Sequence, residues 1–181
     1  MALQATVRRL KVQLSDVDRD VYETLDLRLA QHPSETDLFL VTRALAYCLS
    51  LEEGIAFSHG LSSVDEPAVW VKTADGRLTA WIEVGTPSAE RLHRASKACS
   101  RVSIFTQHDP QLLHREAAKT AIHRAEHIAL YVPSLPLLRE LAQRVDRNMS
   151  WELSRSGGQL YVNTLGKTFE GELATLPLVG G

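Results

Sequence analysis

The sequence predicts an α/β (α+β) fold: one mixed sheet of parallel and antiparallel strands, with flanking helices and added antiparallel strands. Three observations carry that expectation. The first thirty residues contain two stretches that alternate apolar and polar side chains in the period of a half-buried strand. A central block runs helix, strand, strand, helix, strand. The tail turns strand-like segments around Gly157-Gly158.

In order, Leu10, Val12 and Leu14 alternate with Arg9, Lys11 and Gln13. After the acidic turn at 16–20, Leu25, Leu27 and Leu29 alternate with Thr24, Asp26 and Arg28, so the two strands pair as an antiparallel ribbon. HPSETD (32–37) then starts a helix. Pro33 disfavours helix at His32, Ser34 is placed as the N-cap, and Asp37 completes a capping-box-like start. This helix runs to about Leu51, with Leu38, Val41, Leu45 and Cys48 on its apolar stripe.

A short strand at Ile55–Phe57 precedes a hairpin over 68–84, turned at Asp75-Gly76. Thr86-Pro87-Ser88 opens a helix reaching about Cys99, and the β-branched run Val102 to Thr106 is a strand. Beyond it the pattern predicts a helix over about 110–125, a strand at His127–Val132 and a helix at about Leu135–Arg147. Antiparallel strands then cover 150–164 and 167–173.

A chain of 181 residues is expected to form a single domain over 1–181 that buries roughly two-thirds of its unfolded surface. Twenty Lys and Arg against 22 Asp and Glu, net −2, exclude a surface basic all round, since phosphate affinity comes from cations. A local basic patch stays open as a nucleic-acid contact. Cys48 and Cys99 sit in apolar helical contexts and read as small buried residues rather than a disulfide. No apolar run approaches a membrane span and the start has no signal-peptide core, so a cytoplasmic location is expected. Composition leaves the oligomeric state open.

Two literal motifs fail on context. His123-Arg124-Ala125-Glu126-His127 spells a zinc-peptidase pattern, but its second histidine opens a strand-like run rather than sharing a helix with the first. Gly166-Lys167-Thr168 resembles the end of a phosphate loop, yet Tyr161 stands where the first glycine is required.

The segment 65–101 holds the chemistry. Glu66 and Glu83 are acids beside two short strands, and a helix carrying Arg91, Arg94 and Lys97 follows at once. Trp81 and Glu83 share one strand face, Ile82 and Val84 the other. The ordinary reading is a loop acid, a sheet-edge acid and a solvated cationic helix face. The functional reading is carboxylates around a hard cation with a cation nearby for phosphate. Trp70 and Trp81 are expected as a cross-strand pair rather than as base-stacking rings, and His59 and His93 as surface or locally bonded groups.

HPSET (32–36), DEPAVW (65–70), WIEVGTP (81–87) and RLHRA (91–95), with the MAL start, resemble the YaeQ family over essentially the whole chain. That family is bacterial and resembles the PD-(D/E)XK nuclease superfamily, so the resemblance implies a restriction-endonuclease-like core. It also implies Mg²⁺ held by Glu83 together with Glu66 or Asp65, with Glu35, expected in an exposed first turn, either a third carboxylate or a helix-capping surface acid. Arg91, Arg94 and Lys97 would be the catalytic cations.

Two departures stand out. Ala68 takes the place of the first acid, and Gly85 that of the lysine two residues after Glu83. Arginine keeps its proton, so Arg91 and Arg94 can stabilise phosphate charge but not act as a base, a role left to Lys97 if it is buried. Three functions therefore stand side by side: a divergent Mg²⁺-dependent nuclease or phosphodiesterase; a catalytically inactive nuclease-like module binding nucleic acid or protein, linked to transcription; or a metal site for another phosphorylated substrate.

Overall fold

A computed structural model describes residues 4–59 and 65–180. The Met-Ala-Leu start quoted for the resemblance lies outside the described residues. Strands β1 (Thr6–Asp16) and β2 (Val21–Gln31) pair antiparallel along their full length, as the alternation predicts. Leu10, Val12 and Leu14 are buried on one face of β1 while Lys11 and Gln13 between them are exposed.

Helix α1 (Asp37–Leu49) starts later than expected. Thr36, not Ser34, is the N-cap and accepts from the Phe39 N–H. The Ser34 hydroxyl is engaged instead by the His32 ring at 2.6 Å. Val41, Leu45 and Cys48 are buried, and Leu38 is half-buried.

The next strands are β3 (Ile55–Phe57), β4 (Val69–Lys72) and β5 (Leu78–Val84). They are followed by helix α2 (Ala89–Ala98), capped by the Ser88 hydroxyl, and strand β6 (Arg101–Phe105). These match the expected order. Helix α3 (Pro110–Ala117) and helix α4 (Leu135–Ala142) are both shorter than expected. Only Leu113 and Ala117 of α3 are buried, and residues 118–121 are all exposed, so nothing apolar holds a further turn. In α4 the buried stripe Leu137, Leu138, Leu141 stops, and Arg144 folds back onto Glu140.

Strand β7 (Ala129–Pro133) begins after a short turn of helix at Ala125–His127. His127 therefore precedes the strand, and His123 lies exposed in a loop, so the two histidines of the zinc-peptidase pattern share no helix. Strands β8 (Asn148–Ser156), β9 (Gln159–Thr164) and β10 (Lys167–Pro177) complete the chain.

The ten strands form one sheet in the order β2-β1-β8-β9-β10-β7-β6-β5-β4-β3. The β1–β8, β5–β6 and β6–β7 pairs are parallel, the others antiparallel. β10 joins the two halves by changing partner, pairing with β9 up to Glu172 and with β7 from Leu173. Gly171 sits at that change, where a Cβ would come within 2.5 Å of the Ser134 Cβ.

The sheet curls until it is nearly closed, and its hollow side packs on α1 and α4. Leu10, Leu29, Leu45, Leu138, Leu153 and Phe105 belong to this core. On the outer face of β5–β7, helices α2 and α3 cover Trp81, Ile104 and Leu130 to form a second core. Arg43 of α1 spans the seam between the two edge strands: it donates to the Ala30 carbonyl of β2 at 3.1 Å, and its guanidinium lies 5.3 Å from the Phe57 ring of β3. No helix among the described residues is long and apolar enough to cross a membrane.

Candidate functional site

The corner made by β4, β5 and α2 brings several of the expected residues together. Strand alternation puts Trp81 and Glu83 on the face covered by α2. Glu83 is 4% exposed. Its Oε1 accepts from the Trp81 indole N–H at 2.7 Å and from Arg91 Nε at 2.6 Å. Gly85 ends the strand at φ +92° with its N–H bonded to the Phe105 carbonyl, and Ser88 caps α2. That short connection places Arg91, in the first turn of α2, over the carboxylate. Its guanidinium also lies 5.9 Å from the Trp81 ring and donates through Nη2 to the Glu66 carbonyl at 2.5 Å. Burial pushes the Glu83 carboxyl above its ordinary value, against the indole and arginine contacts that favour the charge.

Glu66 lies on the loop before β4 and turns its carboxylate to His59. The His59 N–H donates to Oε2 at 3.1 Å, and the ring Nδ1 is 3.2 Å from Oε1. The backbone donor, first among these contacts, holds the Glu66 carboxyl below its ordinary value. Asp65 is exposed. Arg94 and Lys97 project from the outer side of α2, exposed and without a partner among the described residues. Lys97 is thus not buried beside Glu83. Trp70 and Trp81 are direct register partners, as expected. The Trp70 ring meets the edge of His59 at 6.2 Å and the Lys72 ammonium at 3.6 Å.

Glu35 corrects one expectation: it is buried, not an exposed first-turn residue, and it precedes the N-cap of α1. Its carboxylate takes a two-point contact from Arg43, Nε to Oε1 at 3.0 Å and Nη2 to Oε2 at 3.1 Å. The His32 N–H adds a third bond at 3.3 Å. Burial raises the Glu35 carboxyl above its ordinary value, although Arg43 opposes the shift. The residue therefore anchors the seam at Arg43. Cys48 and Cys99 are buried free thiols, and burial pushes the Cys48 thiol up to about 12.

The donors do not fit Mg²⁺, which takes six oxygens in near-octahedral order at about 2.0–2.1 Å. The Glu83 carboxylate already carries a permanent cation at 2.6 Å, and a second cation there would meet Arg91 in a buried setting. Glu66 faces a histidine. Among the described residues no group of three or more His, Cys, Asp or Glu is placed to hold a metal ion. What the arrangement does provide is a neutralised acid beneath α2 and two unpaired cations above it.

Three partnerships escaped the sequence. Arg43 stands eight positions from Glu35 and His59 seven from Glu66, but neither pair lies within a single helix or strand, so no periodicity joins them. Asp16 and Asp18 meet Arg155 across the turn between β1 and β2, with Arg155 Nε 3.2 Å from Asp18 Oδ2. Chain distance hides that last pair altogether.

The family model described as YaeQ protein matches residues 1–173. Among curated relatives, the uncharacterized protein YaeQ of Salmonella typhi is 29% identical over 175 residues, covering 96% of each chain. The protein of the same description from Escherichia coli K12 is 28% identical over 165 residues, covering 90% of this chain and 91% of its own. Among solved structures, that of YaeQ from Pseudomonas syringae aligns with a TM-score of 0.87 and 32% identity, covering 98% of this chain and 97% of that one. YaeQ from Xanthomonas axonopodis pv. citri aligns with a TM-score of 0.85 and 28% identity, covering 94% and 97%.

Proposed function

Because the chain belongs to the YaeQ family, we propose that it is a non-hydrolytic binding module on a nuclease-like frame, contacting nucleic acid through α2. The observation that carries this reading is the pairing of Glu83 with Arg91 at 2.6 Å. A hydrolase of the PD-(D/E)XK type needs that acid for its metal and a lysine close by as base or water-positioner. Here the acid is neutralised from within, and Gly85 replaces the lysine.

Phosphate contact needs no base, only accessible cations. Arg94 and Lys97, three residues apart, share one exposed face of α2. Net charge of −2 limits such a contact to a patch, so binding is weak and falls with salt only in proportion to the few phosphates contacted. The divergent-hydrolase reading would require Mg²⁺ to displace Arg91 from Glu83.

Fluorescence anisotropy with labelled single- and double-stranded oligonucleotides, in excess chelator, tests the proposal. Wild type is expected to bind metal-free, with an affinity that falls as salt rises. Replacing Arg94 and Lys97 by Gln together should weaken binding roughly tenfold or more and flatten the salt dependence. Absence of binding at low salt, or binding indifferent to both substitutions, overturns it.

A further inference from the structure

A cavity of about 290 Å³ opens on the hollow side of the sheet, between the starts of β6 and β7, the C-terminal end of α1 and the turn joining β1 to β2. Arg19, Arg101 and Arg155 line it, with His127, Ser103 and Tyr131. Ala80 and Ile82 belong to its wall, so it lies on the opposite sheet face from Trp81 and Glu83. We propose that this cavity binds the phosphate group of a small phosphorylated ligand, with the three guanidiniums as its recognition elements.

The three arginines come from distant parts of the chain and are held in place by contacts that leave N–H groups over. Arg19 donates Nη1 to the Leu49 carbonyl and Nη2 to the Leu51 carbonyl, both at 2.8 Å. Arg101 donates Nε to the Thr79 carbonyl at 3.2 Å and Nη2 to Glu52 at 2.8 Å. A guanidinium has five N–H donors, so each keeps several for a ligand.

Arg155 is ion-paired to two acids at the back of the cavity, with Asp16 Oδ2 3.7 Å from its Nη1 and Asp18 Oδ2 3.2 Å from its Nε. Phosphate has the oxygens to accept from more than one guanidinium fork.

Three carboxylates, Glu52, Asp16 and Asp18, balance the three arginines in formal charge, so a phosphate here is held by directed guanidinium N–H groups rather than by excess positive charge. Among the lining residues, Glu52 is the one carboxylate beside three arginines. Asp16 and Asp18 stand outside the lining. Asp18 accepts from the Gly157 and Gly158 N–H groups at 2.7 and 2.9 Å. Buried Asp16 lies 3.7 Å from both Arg19 Nη1 and Arg155 Nη1, and so draws two guanidiniums toward one point. A volume near the lower end of small-ligand pockets, about 300–1,000 Å³, suits a phosphate on a small molecule or chain end rather than a length of duplex.

Calorimetric titration with inorganic pyrophosphate is the direct test. Wild type is expected to bind with a Kd below about 1 mM, Arg101→Gln and Arg19→Gln each to weaken it at least about tenfold, and Arg28→Gln, exposed on β2 and outside the cavity lining, to leave it unchanged. Competition by a 5′-phosphorylated oligonucleotide, but not its 5′-hydroxyl counterpart, would assign the phosphate to a nucleic-acid end. Competition by nucleoside monophosphate alone would assign it to a free metabolite. A second readout is independent of variants: pyrophosphate must raise the wild-type Tm above that in chloride of equal ionic strength. No Tm rise, no heat, or binding indifferent to both Arg101→Gln and Arg19→Gln overturns the proposal.

Discussion

Two buried carboxylates, Glu35 and Glu83, each sit against one arginine, and in both the loss of water outweighs the ion pair. The sign of the consequence follows from linkage. A carboxyl whose folded-state value lies above the ordinary 4.5 stabilises the fold when protonated, and that contribution is lost as pH rises through the raised value. Glu35→Gln keeps the shape and removes the titration. Urea unfolding between about pH 4.5 and 7 should therefore show wild type losing stability relative to Glu35→Gln as pH rises. A constant difference between the two proteins would contradict the assignment. At this scale the sequence was half legible. Spacing alone put Arg91 near Glu83, because a strand end and a helix start are separated by one short turn. The local pattern places Glu35 on the surface, whereas its burial depends on the seam to which Arg43 belongs, and no local pattern reveals a seam.

Elements were more legible than their ends. The alternation in β1 and β2, the hairpin of β4 and β5 and the Ser88 cap of α2 are all local signals, and all appear in the fold. The ends of α3 and α4 are set instead by where tertiary burial stops, which propensity does not record. Gly85 shows an element constraining chemistry. Its φ of +92° is one that side-chain-bearing residues rarely adopt, and a Cβ there would approach Phe39 Cε2 to 3.2 Å. Gly85→Lys would supply the lysine of the nuclease scheme only at the expense of the strand end. It is expected to lower stability by about 1–3 kcal/mol in chemical denaturation. A neutral or stabilising result would show that the backbone relaxes easily and that glycine is not required here.

The whole molecule is a curled sheet held around two helices, and its strand order was the least legible feature. β1 pairs in parallel with β8 although most of the chain lies between them, and β10 serves both halves of the sheet. Long-range pairing of that kind depends on which apolar faces meet, not on any single segment. The same wrapping places the α2 corner and the three-arginine cavity on opposite faces of β5 and β6, so their ligands can be tested separately. The central claim is that Arg91, rather than a metal ion, neutralises Glu83. Calorimetric titration of Mg²⁺ and Mn²⁺ into wild type and Glu83→Ala tests it most directly. The account predicts no heat in wild type that depends on Glu83. Stoichiometric binding by wild type that disappears in Glu83→Ala would contradict it.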